Sequence, residues 1–269
     1  MDINVVITRC EDYTETLARN TRKVLPTIGR LLLISTFVED GLRLLFNTHD
    51  HVNHFSYNWG LNYHFSLFLT IVMIINLLFG SLFVMMRYKV TESSAVLGFT
   101  IFAQVILYQL YTTYHLLTRN ISIVAAIMLL VAENMLRKPK PANYTQLPRD
   151  EHEIEVTSVL LAACRVCLNL MLISMVHFDM SYTRILLCII SYGMMIFVWL
   201  GFKTRMMSFM LATWLFAYNI VLNDFWNKDA ELHIIRYDFF QTLSAIGGLL
   251  LLIHTGPGEF SFDELKKKW

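Results

Sequence analysis

Charge is scarce in this sequence. Only 16% of its 269 residues are charged, whereas 55% are hydrophobic, and an average soluble chain has about 25% charged residues. This composition excludes an intrinsically disordered chain, which combines few apolar residues with much charge. The formal net charge of +1 excludes the basic surface that a nucleic-acid-binding protein requires. Four cysteines are too few for a fold built on disulfides.

Long apolar runs are present instead. A helix needs about 20 mainly apolar residues to span a bilayer, and the run 65–86 contains one Asn and no charged residue. The sequence therefore predicts an all-α polytopic membrane protein with about eight transmembrane helices. The predicted spans are 28–46, 65–86, 94–112, 120–136, 156–176, 183–201, 206–223 and 237–254.

A polar, proline-containing connection at 137–155 divides the chain into two halves of four spans each, and we interpret it as a flexible cytosolic linker. A cytosolic N-terminal segment and a first four-helix repeat precede it in 1–136. A second four-helix repeat follows in 156–254, and a cytosolic tail in 255–269.

Short motifs recur in the same order in both halves. The tripeptide Leu-Ile-Ser at 33–35 recurs at 172–174, and the aspartates Asp40 and Asp179 follow at the same distance. The basic turn at 87–89 is paired in this interpretation with 203–205. Because four spans preserve orientation, the halves are predicted to be two parallel repeats.

Basic residues are unevenly distributed between alternate connections, which under the positive-inside rule places both termini in the cytosol. On the opposite side the connections hold only Arg119, Arg184, Lys228 and Arg236. The predicted cytosolic side holds Arg9, Arg19, Arg22, Lys23, Arg87, Lys89, Arg137, Lys138, Lys140, Arg149, Lys203, Arg205, Lys266, Lys267 and Lys268.

The first predicted span contains Glu39, Asp40 and Arg43. Spacings of three and four residues let both carboxylates reach one guanidinium, and charge inside a membrane marks a functional cavity by default. The alternative is a structural ion pair in which Arg43 neutralises one carboxylate, but this explanation leaves the second carboxylate without a role. Arg30 is expected to extend to the interface, while Arg165 lies deeper and is expected to need Glu133 or Glu155.

The predicted non-cytosolic side gathers further carboxylates and aromatic residues. Ordinary interfacial aromatic residues and an acid favouring a helix N-terminus are the alternative explanation. The candidate binding residues on this side are Glu39, Asp40, Phe178, Asp179, Tyr182, Asp224, Phe225, Trp226, Tyr237 and Asp238.

Catalytic motifs are lacking, so the sequence predicts neither an enzyme nor a cofactor. Cys164 and Cys167 share a helix face and are interpreted as packing residues. His49, His51 and His54 are interpreted as part of a solvated loop rather than as a metal site. Near the C-terminus, Lys266 and Lys267 match the di-lysine signal that the COPI coat recognises, the alternative being a basic flank of the last helix.

The sequence resembles the surfeit locus protein 4 family of early secretory cargo receptors. The resemblance covers nearly the whole chain and is carried by the segments 33–41, 177–179, 201–204, 214–217, 225–226, 237–242, 246–251 and 256–258 and by the lysine tail. It implies a receptor in the endoplasmic reticulum membrane that binds soluble secretory cargo in the lumen, including lipoproteins or yolk-type proteins. Such a receptor enters COPII vesicles and returns by COPI. A transporter or lipid-handling protein is the rival interpretation.

This resemblance also implies that the cargo's N-terminal segment is recognised. A protonated α-amino group needs a carboxylate in a partly desolvated pocket, and neighbouring apolar side chains need an aromatic wall. Asp40 and Asp179 are the first choices for the carboxylates, with Glu39 as the partner of Arg43. The competing interpretation is that Asp40 belongs to an internal salt-bridge network and Asp179 caps a loop.

Overall fold

In the computed structural model the described residues are 9, 14–16, 19–21, 24–109, 114–137, 156, 158–166, 182–223, 232–256 and 261. Within them every regular element is a helix, which confirms the all-α prediction for that part of the chain. A helical segment at 158–166 lies between α5 and α6. The helices are α1 Leu25–Phe46, α2 Thr48–Trp59, α3 Tyr63–Met85, α4 Val90–Leu107, α5 Tyr114–Arg137, α6 Tyr182–Leu200, α7 Thr204–Leu222 and α8 Leu232–Thr255.

Among the residues that the structure describes, three helical stretches are long and apolar enough to cross a membrane: Tyr63–Met85, Val90–Leu107 and Arg236–Thr255. Ile123–Leu136 and Ile189–Leu200 are shorter apolar helices. The number of eight spans and the parallel repeat remain predictions.

Helix α3 has an apolar face turned outward, and its buried face combines small residues with apolar ones. A helix on the surface of a soluble protein turns a polar face outward, whereas membrane helices pack closely through small residues. The bundle is therefore suited to a lipid surrounding. The exposed residues include Phe65, Phe68, Ile71, Ile75 and Phe79, and the buried ones include Ser66, Thr70, Gly80 and Ser81.

The segment that was predicted to be a solvated loop is a helix, α2, so that prediction was wrong. The histidines at 49, 51 and 54 lie on a twelve-residue helix that ends at Gly60 in the left-handed conformation. Val52 and Phe55 are its buried residues, and it packs against α3. A segment this polar gives little helical signal in the sequence. A helix of this length is stabilised mainly by tertiary packing, which the sequence alone does not show.

Helices α1 and α8 touch backbone to backbone. A Cβ atom on Gly247 would lie 2.5 Å from the carbonyl oxygen of Gly29 and 2.6 Å from the backbone nitrogen of Leu33. Only glycine permits this approach, which joins the first helix of one half of the chain to the last helix of the other.

Two hydroxyl groups bridge the same interface. Thr36 donates to the carbonyl oxygen of Phe240 at 3.0 Å, and Ser244 donates to that of Leu33 at 3.1 Å. The paired numbers rise on α1 as they fall on α8, so the helices are antiparallel. This register brings residues near 39 on α1 beside the start of α8.

The connections α3–α4 and α6–α7 share one backbone conformation. The φ angles of Arg87 and Lys89 are 60° and 46°, and those of Gly201 and Lys203 are 71° and 45°. In both turns the residue between them donates its N–H to the carbonyl oxygen five residues earlier at 3.0 Å. The matching segments are therefore 87–89 and 201–203, so the predicted pairing with 203–205 was wrong by two residues. This local likeness supports an internal repeat.

Candidate functional site

The charged cluster predicted on the first span is completed by α8. Asp40 Oδ1 lies 2.7 Å from Nη2 of Arg43, and Glu39 Oε1 lies 3.3 Å from Nε of Arg236. The predicted pairing of Glu39 with Arg43 was therefore wrong. A spacing of three residues brings Asp40 to Arg43 along the same face of α1, while Glu39 faces α8.

The two ion pairs differ in exposure. The side chains of Glu39 and Asp40 are each 5% exposed, whereas those of Arg43 and Arg236 are 33% and 30% exposed. The carboxylates thus lie inside the bundle and the cations lie at its edge. Arg43 also lies over the ring of Tyr237, 5.4 Å from its centroid, a distance that permits a cation–π interaction.

Tyr108, directly after α4, holds α2 beside this cluster. Its hydroxyl group lies 2.7 Å from Nδ1 of His51, and its ring centroid lies 4.9 Å from that of Phe55 and 5.3 Å from that of His54. Trp59 donates from Nε1 to the carbonyl oxygen of Leu107 at 2.9 Å. Burial, and to a lesser extent the charge of Arg43, lowers the pKa of His51 to about 4, so His51 is neutral near pH 7 while it shares a hydrogen bond with the Tyr108 hydroxyl group.

We expect the packing of α2 to weaken as the pH falls from about 6.5 towards 4. The pKa of His51 is lower in the folded protein than its ordinary value of 6.5, so the unfolded state takes up the proton first. The stabilisation is complete above pH 6.5 and is lost as the pH approaches 4. Hydrogen exchange of the α2 amides, corrected for intrinsic rates, measures this change.

His51→Gln should abolish that pH dependence, because the amide does not titrate, while His49→Gln on the exposed side of α2 should leave it unchanged. Equal pH dependence in the wild type and His51→Gln would contradict the assignment.

A second buried ion pair lies near the other end of α1. Arg30 Nε lies 3.3 Å from Oε2 of Glu133 on α5, with side-chain exposures of 5% and 3%, and it also donates to the carbonyl oxygen of Pro26 at 3.0 Å. The prediction that Arg30 extends to the membrane interface was wrong, because α5 supplies a buried carboxylate. Arg165 is buried, and its guanidinium lies against Gly201.

A model of the SURF4 family matches residues 4–269. The chain belongs to the SURF4 family. It is 32% identical to the surfeit locus protein 4 homolog of Drosophila melanogaster, over 99% of this chain and 98% of that protein. It is 30% identical to the ER-derived vesicles protein ERV29 of Saccharomyces cerevisiae, over 90% and 77%. It is also 30% identical to the surfeit locus protein 4 homolog of Schizosaccharomyces pombe, over 95% and 86%.

No solved structure matches the chain. The resemblance inferred from the sequence motifs is thus confirmed at the level of the SURF4 family.

The structure describes only some of the other predicted site residues of this SURF4 family chain. Asp238 is half-buried on α8, and its carbonyl oxygen accepts the Thr242 hydroxyl group at 2.8 Å. Tyr182 begins α6, but its side chain is outside the described residues. Phe178, Asp179, Asp224, Phe225, Trp226, Lys266 and Lys267 also lie outside them.

Three contributors to the site were missed in the sequence. The sequence predicts Arg236 as a basic residue of a connection and His51 as part of a solvated loop, and it predicts no role for Tyr108. The signal for Arg236 was its place one residue before the predicted span at 237. Its partner could not be read from spacing, since Glu39 lies almost two hundred positions away.

The packing interpretation of Cys164 is confirmed, because this side chain is buried and its Sγ lies 3.4 Å from the carbonyl oxygen of Ala125. Cys167 lies outside the described residues.

Proposed function

We propose that the protein is a receptor in the endoplasmic reticulum membrane that binds soluble secretory proteins in the lumen and promotes their export to the Golgi. Membership of the SURF4 family, with a relative named ER-derived vesicles protein in yeast, is the observation that carries the proposal. Apolar helices suited to a membrane support it. The finer features of the proposal are loading into COPII vesicles, return by COPI, and cargo that includes lipoproteins or yolk-type proteins.

The proposed cargo site lies at the end of α1 where Glu39 and Asp40 meet the start of α8. With an even total number of spans, the first and last spans are antiparallel, as α1 and α8 are. The distribution of basic residues assigns the end of α1 near Glu39 to the lumenal side. The proposed surface is completed by aromatic and acidic residues, which are Phe178, Asp179, Tyr182, Asp224, Phe225, Trp226, Tyr237 and Asp238.

Site-specific photocrosslinking tests this function. A photoreactive residue placed at Tyr57, which is 91% exposed on α2, should crosslink to newly made secretory proteins in microsomes, while one at Phe99 on the outward face of α4 should crosslink to lipid. Absence of secretory proteins from the Tyr57 adducts would overturn the receptor proposal.

A transporter or lipid-handling protein is the second candidate, because α1 carries buried ion pairs near both ends, and intramembrane charge often lines a transport pathway. Flux of a solute or lipid in reconstituted vesicles, without secretory cargo, would favour that function.

The proposed retrieval signal gives a separate prediction. Replacing Lys266 and Lys267 by Ser should move the protein from the endoplasmic reticulum towards the Golgi, because COPI would no longer recognise the tail. Folding should be unaffected, since a polar terminal segment tolerates substitution. Imaging the protein beside markers of both compartments measures the shift, and an unchanged distribution would leave the lysines as a basic flank only.

A further inference from the structure

Glu39 is a buried carboxylate with an incomplete set of partners. Its side chain is 5% exposed, and neither of its buried oxygens accepts a hydrogen bond from the part of the chain that the structure describes. Arg236 Nε is close enough for an ion pair, at 3.3 Å, but this nitrogen makes no hydrogen bond. An ionised carboxylate can accept about four hydrogen bonds, so Glu39 retains its accepting capacity inside the bundle.

Asp40 is different, although it is the next residue. Arg43 donates a hydrogen bond of 2.7 Å to its Oδ1, and both residues belong to the same turns of α1. Arg43 is held further by the ring of Tyr237. The pair Asp40–Arg43 is therefore closed within the protein, and Glu39 is the carboxylate that remains able to bind a new donor.

Arg236 is placed to leave Glu39. Its side chain is 30% exposed, so its guanidinium reaches water by turning outward, as long basic side chains do. An arriving cation with several N–H donors would replace the guanidinium charge for charge as Arg236 turns outward. The buried carboxylate would at no stage be left without a positive partner, which avoids the large cost of an uncompensated buried charge.

We propose that Glu39 is an exchangeable ammonium site, in which an alkylammonium group of a ligand displaces Arg236 and donates hydrogen bonds to the carboxylate. A compact ammonium group with three donors suits a carboxylate whose two oxygens are both without hydrogen bonds. The inference rests on the proposed receptor function, and the ammonium group belongs to a polypeptide, as its free N-terminus or as a lysine side chain. Asp40 and Arg43 stay paired during the exchange.

Three synthetic decapeptides of Ala, Leu and Ser, each with a C-terminal dye, test the site on the full-length protein in detergent. One has a free N-terminus, one is N-acetylated, and one is N-acetylated with a single internal Lys. The free or the lysine peptide should bind at least about tenfold more tightly than the uncharged peptide, because charge-assisted hydrogen bonds are gained. The stronger of the two identifies the source of the ammonium group.

Glu39→Gln should remove that tenfold preference, since it keeps the size of the side chain and removes its charge. The matched control Glu92→Gln, in the exposed ion pair with Lys89, should retain the preference. Arg236→Gln should tighten ammonium binding, because the competing cation is absent. Should a single variant fail to fold, the neutral double variant Glu39→Gln/Arg236→Gln removes both charges together and should bind all three peptides equally.

Several results would overturn the proposal: a preference that persists in Glu39→Gln or in the double variant, its loss in Glu92→Gln, or weaker ammonium binding by Arg236→Gln. Crosslinking in microsomes separates this outcome from the wider function. If the wild type and Glu39→Gln capture secretory proteins equally, the ammonium site is wrong and the receptor function stands. If the wild type captures none, both are wrong.

Discussion

Gly247→Ala is expected to destabilise the protein by about 3 kcal/mol, the upper end of the usual cost of overpacking. The new methyl group would lie 2.5 Å from the carbonyl oxygen of Gly29 and 2.6 Å from the nitrogen of Leu33. Both atoms belong to the backbone of α1, so they cannot move aside as a flexible side chain can. The helices must separate instead, and the hydrogen bond from Ser244 to Leu33 lies in the same interface.

Gly193→Ala on α6 is the matched control, because no described atom lies within 4 Å of the added Cβ position. Alanine is favoured over glycine inside a helix by about 1 kcal/mol, so this variant should be neutral or slightly stabilised. Thermal unfolding of both variants in one detergent, followed by size-exclusion chromatography, measures the difference. Equal midpoints for Gly247→Ala and the wild type would contradict the observed backbone contact.

Glu133→Gln is expected to cost about 3 to 5 kcal/mol, the usual loss when one partner of a buried ion pair is removed. The substitution removes the carboxylate oxygen that lies 3.3 Å from Arg30 Nε, while the guanidinium stays inside the bundle. The neutral double variant Arg30→Gln/Glu133→Gln should recover much of this loss, because both charges of the pair are removed together.

The exposed pair Lys89–Glu92 is the control for charge removal. Its N–O distance is 3.1 Å, but the side chains are 57% and 70% exposed, so Glu92→Gln should cost no more than about 1 kcal/mol. Thermal midpoints in the same detergent decide the comparison. A Glu133→Gln midpoint as close to the wild type as that of Glu92→Gln would show that Arg30 does not depend on Glu133.

Long helices were the features most accessible from the sequence. The run predicted at 65–86 is the helix Tyr63–Met85, and the span predicted at 237–254 lies within Leu232–Thr255. An uninterrupted apolar run of this length satisfies its backbone hydrogen bonds only as a helix when it lies in lipid. Helix α2 escaped prediction because its helical state depends on the burial of Val52 and Phe55 against neighbouring helices.

The amino-acid sequence is enough to establish the helical class and the family. It also places Glu39, Asp40 and Arg43 within reach of one another, because spacing along a helix depends only on local geometry. Which carboxylate pairs with which cation was decided by the tertiary structure. Glycine contact brings α8 against α1 in an antiparallel register, and that register delivers Arg236 to Glu39. Glu39 and Arg236 are far apart in the chain, and only packing of the two helices determines that they meet.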